Sequence, residues 1–316
     1  MATSISNFRT NCAGRMGMFA SSIVLLCCSH PTESAERGLS SYLPAYYGDF
    51  AVAIAPKPGF YAYATYYGYE ANFKPQGAVG KLDLNVSAFI TGFQYVFPEK
   101  LANISFAVGG YTAIIDARLH GVLSTQDGSL TVEQNKIQHG DTSISPLIMY
   151  WSSGNWHVNV YEAVFLPTGT FDAADSLNLS RNYFSFDTVA ALTWLDRQSG
   201  LEVSLVPGLM MNTQNEATNY LTGPEFHIDA MVNVFLAKNF ALGLHGYAYM
   251  QIAGDELNGQ NVPSSLSRSN GIGPSLLWVP DTAGVNGKVV AKWLHDLDGE
   301  NRFQGDIFSL TGVVQF

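Results

Sequence analysis

From Pro58 onward the chain alternates apolar and polar positions with a period of two rather than 3.6. That is the spacing of strands, not helices. In 225–236, Phe226, Ile228, Ala230, Val232, Val234 and Leu236 share one face, opposite Glu225, His227, Asp229, Met231 and Asn233. The pattern returns in 240–252, where Phe240, Leu242, Leu244, Ala248, Met250 and Ile252 oppose His245, Tyr247, Tyr249 and Gln251. The spacing predicts about twelve such segments, starting near Pro58, Leu82, Leu101, Asp141, Asn155, Asn182, Leu201, Thr222, Asn239, Arg268, Asn286 and Asn301. At roughly ten to fourteen residues they exceed the strands of an ordinary soluble sheet and suit a tilted bilayer crossing. Short connections (98–100, 152–154, 196–200, 237–238, 281–285) alternate with long ones (71–81, 116–140, 168–181, 213–221, 254–267), and a short one at 298–300 stands in a long-loop position. The expected fold is all-β: a transmembrane antiparallel up-and-down β-barrel with both termini on the short-turn side. A secreted β-sandwich would also alternate, but with shorter strands and polar outward faces. Closure follows from lipid, where each unsatisfied backbone group costs several kcal/mol.

Composition narrows this further. Of 316 residues only 13% are charged, against 47% hydrophobic and 13% aromatic, with 30 Gly, 16 Tyr and 19 Phe. So few charges among so many aromatics exclude a disordered chain. The formal net charge of −10 leaves no basic excess to neutralise phosphates, so no nucleic-acid partner is expected.

Residues 1–35 read as a secretory signal. Arg9 and Arg15 precede an apolar stretch, 16–28, that is too short to span ~30 Å of hydrocarbon, and small residues allow cleavage after Ala35 or Ser34. A lipoprotein is disfavoured, because Leu26 rather than a small residue precedes Cys27. All three cysteines (Cys12, Cys27, Cys28) fall in this leader, which excludes disulfide scaffolds and thiolate metal sites from 36–316. Residues 36–57 carry Tyr42, Tyr46, Tyr47, Phe50 and Ile54 between prolines. They read equally as a plug inside the barrel or as a periplasmic tail. Residues 58–316 are the barrel. At its end Phe308, Leu310, Gly312, Val314 and Phe316 share one face. An alternating last strand ending on an aromatic resembles the membrane-insertion signal of bacterial outer-membrane proteins, with Phe308, Leu310, Val314 and Phe316 as its residues.

No metalloprotease, P-loop, nucleophile-elbow or dinucleotide-binding motif occurs, and no catalytic residue, cofactor or metal is expected. Ser269-Asn270-Gly271 resembles part of the His-x-Ser-Asn-Gly motif of outer-membrane phospholipase, but Ser267 stands where the base histidine belongs. The polar phase of the strands carries His157, Asp187, Glu202, Glu225, His227, Asp229, His245, Lys288 and Lys292. With Tyr161, Tyr247 and Tyr249 these are the candidate lumen-lining residues; Phe89, Phe93, Tyr95, Tyr111, Met149 and Phe165 are expected in the same phase. Such groups either pair with one another and pack a narrow barrel, or line a route for flat apolar solutes. Two further expectations concern the rim. Gly169 is expected to supply a permissive φ after Pro167-Thr168, and Tyr220 to sit at the membrane interface.

Several segments resemble the "putative MetA-pathway of phenol degradation" family, also called SphA-like. They are 56–61 (Pro-Lys-Pro-Gly-Phe-Tyr), 166–172 (Leu-Pro-Thr-Gly-Thr-Phe-Asp), Asn178-Leu179 with Asn182, 215–220 (Asn-Glu-Ala-Thr-Asn-Tyr) with Gly223, and 246–251 (Gly-Tyr-Ala-Tyr-Met-Gln) with Asp255. Met250 and Thr170 depart from the family's Gln and Tyr. The resemblance spans most of the chain after the leader. It implies a bacterial outer-membrane barrel of transporter type that admits small hydrophobic or aromatic compounds in phenol-type catabolism. It assigns no catalytic or ligand-binding residues. The partners expected are outer-membrane lipid, the barrel-insertion machinery and a small hydrophobic solute. The alternatives are a structural or adhesive barrel with a filled lumen and, further off, an outer-membrane lipase.

Overall fold

The computed structural model describes residues 35–74, 79–125, 128–281 and 286–316. The expected signal up to Ser34, its three cysteines and residues 282–285 of one short connection lie outside the described residues. The chain divides into residues 1–30 and 31–316; the fold described is that of the second unit.

Among the described residues thirteen strands form one sheet. Twelve of them close a ring: β1 (Gly59–Phe73), β2 (Val79–Leu101), β3 (Ile104–Thr125), β5 (Thr142–Ser153), β6 (Trp156–Leu166), β7 (Ser185–Asp196), β8 (Leu201–Asn212), β10 (Glu225–Ala237), β11 (Phe240–Gln251), β14 (Arg268–Trp278), β15 (Asn286–Glu300) and β16 (Gln304–Gln315). Each pairs antiparallel with its neighbours in sequence, and β16 returns to β1, from Tyr61 opposite Gln315 to Asn72 opposite Gln304. The remaining strands are β4 (Gly128–His139), β9 (Tyr220–Leu221), β12 (Glu256–Leu257) and β13 (Gln260–Asn261). The last three form a small separate sheet.

The barrel is therefore closed and twelve-stranded, and its long connections gather at one end, the outer end. One expected loop is instead structure. Residues 116–140 continue β3 and fold back as β4, paired from Thr125 opposite Gly128 to Ile114 opposite His139. Here Leu119, Leu123 and Val132 are buried, so this hairpin extends the apolar inner face beyond the bilayer instead of looping freely over the mouth.

Alternation decides which side chains meet lipid. In β10, Ala230, Val232, Val234 and Leu236 are exposed while His227, Asp229, Met231 and Asn233 are buried. Phe308, Leu310, Val314 and Phe316 lie exposed on the outward face of β16 and its end. The outward face carries an exception in Glu162, whose Oε2 accepts a hydrogen bond from Thr188 Oγ1 at 2.6 Å. On β2 the expected phase is off by one. Phe89, Phe93 and Tyr95 are exposed, and Ala88, Ile90 and Val96 are buried instead. Both faces of β2 are apolar, so alternation alone does not say which turns inward; the crowded interior takes the smaller Ala88 and Gly92, the latter lying against the Tyr63 ring. Met149 is displaced likewise. A register shift between Ile144 and Ile148 turns Ile148 and Tyr150 inward.

Candidate functional site: the barrel interior

Strand register assembles the inner wall. His227 lies opposite Tyr249 on β11 and Gly208 on β8, and Asp229 lies opposite Tyr247 and Val206. Side chains two apart on each strand thus form rows across neighbouring strands. His227 Nε2 sits 3.0 and 3.1 Å from the two carboxylate oxygens of Asp187, and His245 Nε2 sits 2.8 Å from Asp229 Oδ1. All four residues are fully buried.

They are buried because residues 35–57 fill the barrel. The segment meets the outer loops first: Asn215 Nδ2 donates to Glu36 Oε2 at 2.7 Å, and the Arg181 guanidinium donates to the carbonyls of Glu36, Leu39 and Asn178. It then descends the wall. Ser40 Oγ donates to Glu225 Oε2 (2.7 Å) and Tyr42 Oη to Asp229 Oδ2 (2.8 Å). Lys292 donates to the carbonyls of Ala45 and Gly48. Lower still, Lys288 Nζ pairs with Asp49 at 2.5 Å, and Ala51 N donates to Glu202 Oε1 at 2.9 Å. Tyr42 stacks on His227 (centroids 4.3 Å apart) and on Tyr249 (5.8 Å). A Cβ on Gly48 would overlap the Met231 sulfur and the His245 ring, so only glycine lets the backbone pass there. Ala45 and Ala51 take positive φ of 65° and 55°. That costs roughly 1–2 kcal/mol each, a strain that the surrounding packing holds in place.

Asp49 gives this seat a pH dependence. Burial works to raise its carboxyl, but the Lys288 ammonium and then Lys292 outweigh it and hold the group below the usual carboxylate value. A depressed value means the pairing stabilises the seated segment above the ordinary aspartate pKa of about 3.9. The contribution is lost as pH falls through the lowered value. Asp49→Asn is therefore expected to loosen the segment by roughly 1–3 kcal/mol at neutral pH. Limited proteolysis checks this: cleavage within 36–57 should speed up in the variant at pH 7, and acidification should accelerate it in the wild type more than in the variant. Equal cleavage of both at pH 7 would remove the role given to this pair.

Above Tyr42 the interior opens into a cavity of about 170 Å³. Its wall comes from β1 to β3, with Tyr67, Tyr69, Leu84, Val86, Ala88, Ile90, Ala113 and Ile115. Its floor is 39–44, and Leu177, Asn178, Leu179 and Arg181 of the loop between β6 and β7 cover one side. The lining is mostly hydrocarbon and tyrosine, with Ser40, Ser41, Asp141, Asn178, Arg181, Ser269 and Arg302 among its polar positions. A concave apolar pocket with a few convergent polar groups is the form a small-molecule site takes.

The candidate lumen residues divide between these regions. Glu202, Glu225, Asp229, Lys288 and Lys292 bind the segment directly; His227 and Tyr249 stack on Tyr42; Asp187 and His245 orient other wall groups. Tyr247 lines the cavity and donates to Asp296. Tyr161 packs on the same core as Tyr42. His157 lies apart near a short turn, with Nδ1 2.6 Å from Ser152 Oγ. Sequence reasoning missed the inward tyrosines of β1, Tyr63, Tyr67 and Tyr69, although their period-two spacing was there to read. It also missed Asp296, Arg181 and Arg302. The two arginines sit in connections, where alternation gives no signal.

Two rim expectations change, and the missing base at Ser269 stands. Gly169 has no positive φ; a Cβ there would press on the His139 carbonyl and Ser180, so close approach is the reason for glycine. Tyr220 points into the loops, with Oη 2.6 Å from Asp255 Oδ2, rather than to the bilayer interface. Ser269 lies on the inner face of β14 with its Oγ buried beside the Tyr247 hydroxyl, and Ser267 bonds Gln251 and Tyr249, so no histidine stands beside either hydroxyl.

Comparison with known proteins accords with this architecture. The sequence profile of a family described as "Putative MetA-pathway of phenol degradation" matches residues 46–311. An outer membrane channel from Pseudomonas putida F1 superposes with a TM-score of 0.65 at 14% identity, covering 87% of this chain and all of that one (100%). The translocator domain of the autotransporter NalP from Neisseria meningitidis gives a TM-score of 0.44 at 12% identity, covering 84% of this chain and 92% of that one. The likeness to the first is one of fold, a bacterial outer-membrane barrel. No curated protein sequence matches the chain.

Proposed function

The chain belongs to the family described as "Putative MetA-pathway of phenol degradation", and we propose that it is a passive outer-membrane channel admitting small hydrophobic or aromatic compounds. One observation carries this reading: the apolar, tyrosine-walled cavity at the outer end, floored by Tyr42 and its neighbours. A ring-sized solute entering from outside gains burial worth about 25 cal/mol per Å² of apolar surface. It is then held directly above the segment that closes the lumen. Displacement of that segment would let it pass to the periplasm. Outer-membrane lipid and the barrel-insertion machinery belong to the same proposal as its partners.

The test is uptake of labelled toluene or phenol at low concentration by a strain lacking the gene, the wild type and a complemented strain. Initial uptake is expected to fall several-fold in the deletion and to recover on complementation. Equal uptake in all three would overturn the proposal. The filled lumen favours a second reading, a structural or adhesive barrel, which predicts no solute-dependent difference.

A further inference from the structure

The polar end of the cavity says more about the solute, on the footing of the channel reading above. We propose that the cavity holds a monocarboxylate with a small apolar body, its carboxylate meeting Arg302 beside Ser269.

Arg302 lies in the short outer connection between β15 and β16 and lines the cavity. Among the described residues its guanidinium makes no hydrogen bond and no ion pair. The face of the group rests on the Tyr249 ring, 3.8 Å from the centroid, and Nη1 is buried without a partner. Ser269 Oγ, on the same lining, is also buried, with the Tyr247 hydroxyl as its neighbour. A buried donor left unpaired costs about 1–3 kcal/mol, and more when charged. The unpaired Arg302 Nη1, with the Ser269 hydroxyl on the same cavity, marks a place where an acceptor belongs.

The other charges on the lining do not supply one. Arg181 is the second cation there, and main-chain carbonyls occupy it. Asp141, the one lining carboxylate, already accepts from Ser180 Oγ, Gly169 N and Arg181 N. Glu225 and Asp296 act on Arg302 through space, but neither lines the cavity. Asp296 is taken up by Tyr247, Tyr69 and Gly305 N. Among the described lining residues Arg302 is thus the one cation that no hydrogen bond engages, and most of the remaining lining is hydrocarbon and tyrosine. A guanidinium edge matches a carboxylate in a bidentate pair, stronger than a neutral hydrogen bond. The volume of about 170 Å³ is close to that of an engineered apolar cavity of about 150 Å³ that accepts benzene, so a single ring or a short chain fits behind the head group.

The experiment is equilibrium dialysis of the full chain in detergent against benzoate and its neutral counterpart benzyl alcohol, with empty micelles as blank. Benzoate is expected to bind about tenfold more tightly. Arg302→Gln should cost benzoate about tenfold while leaving benzyl alcohol within about twofold, and Arg302→Lys should keep part of the preference. Ser269→Ala should cost benzoate about threefold. Equal affinities in the wild type, or an Arg302→Gln protein that binds benzoate undiminished, would overturn the proposal. Heat-modifiable gel migration verifies folding; should Arg302→Gln fail it, the wild-type preference and Ser269→Ala decide. Benzyl alcohol bound with no preference for benzoate sinks this inference alone, whereas binding of neither sinks the channel reading with it.

Discussion

Removing residues 36–57 is expected to turn a nearly silent barrel into one that conducts ions steadily in planar bilayers, with single-channel conductance rising about fivefold or more. Within the described residues the ring of twelve strands closes without this segment: every barrel strand has two neighbours, and none of their pairings passes through it. The wall that the segment covers includes six ionisable groups, Asp187, Glu202, Glu225, His227, Asp229 and His245, all buried. Such a wall accepts water in place of the segment, because every group that loses a protein partner gains a solvent one. An apolar wall would collapse or bind detergent instead. If the deleted chain fails to insert, the pair Tyr42→Ala and Asp49→Asn supplies the test. It removes the side chain between His227 and Tyr249 and the ion pair to Lys288 while leaving the chain length intact. Unchanged conductance in a variant shown to be folded would mean that the segment does not close the lumen.

Much of this molecule could be read from sequence, and the reason is geometric. A strand crossing lipid keeps its period of two throughout, so the twelve segments and the inward phase of β7, β8, β10, β11 and β15 are written in alternation. The reading falters where alternation stops carrying information. On β2 both faces are apolar, and packing against the interior decided that Phe89, Phe93 and Tyr95 turn outward. On β5 a register shift moved the phase past Met149. Residues 36–57 have no period at all. Their aromatics mark them as a packing element, but their partners are scattered over the wall from Glu225 to Lys288. The cavity was out of reach for a similar cause, since it is made where β1 to β3, the segment and three connections meet. No pattern along the chain places Arg181, Arg302 and Tyr67 around one space.

An arginine on the outward face tests the premise beneath all of this. Val232 of β10 and Leu244 of β11 face each other across one rung, with side chains 49% and 50% exposed. In water such a pair would be an ordinary surface position, and Val232→Arg would shift stability by less than about 0.5 kcal/mol. In lipid the same substitution puts a guanidinium near the bilayer midplane, where it costs roughly 2–4 kcal/mol. The side chain lacks the reach to bring its charge fully to either interface from there. Val232→Arg is therefore expected to lower the free energy of unfolding in urea from lipid vesicles by that amount and to reduce assembled protein in the membrane, with Leu244→Arg behaving alike. Gln260→Arg, on the exposed β13 of the outer loops, should leave both measures unchanged. The comparison separates burial in lipid from a general intolerance of arginine, because all three sites are surface positions by geometry and only two of them lie within the bilayer. Equal stability of all three variants would mean that the outward face of the strands meets water. The apolar alternation would then need another protein layer to cover it, and a channel across the outer membrane would no longer be what this barrel forms.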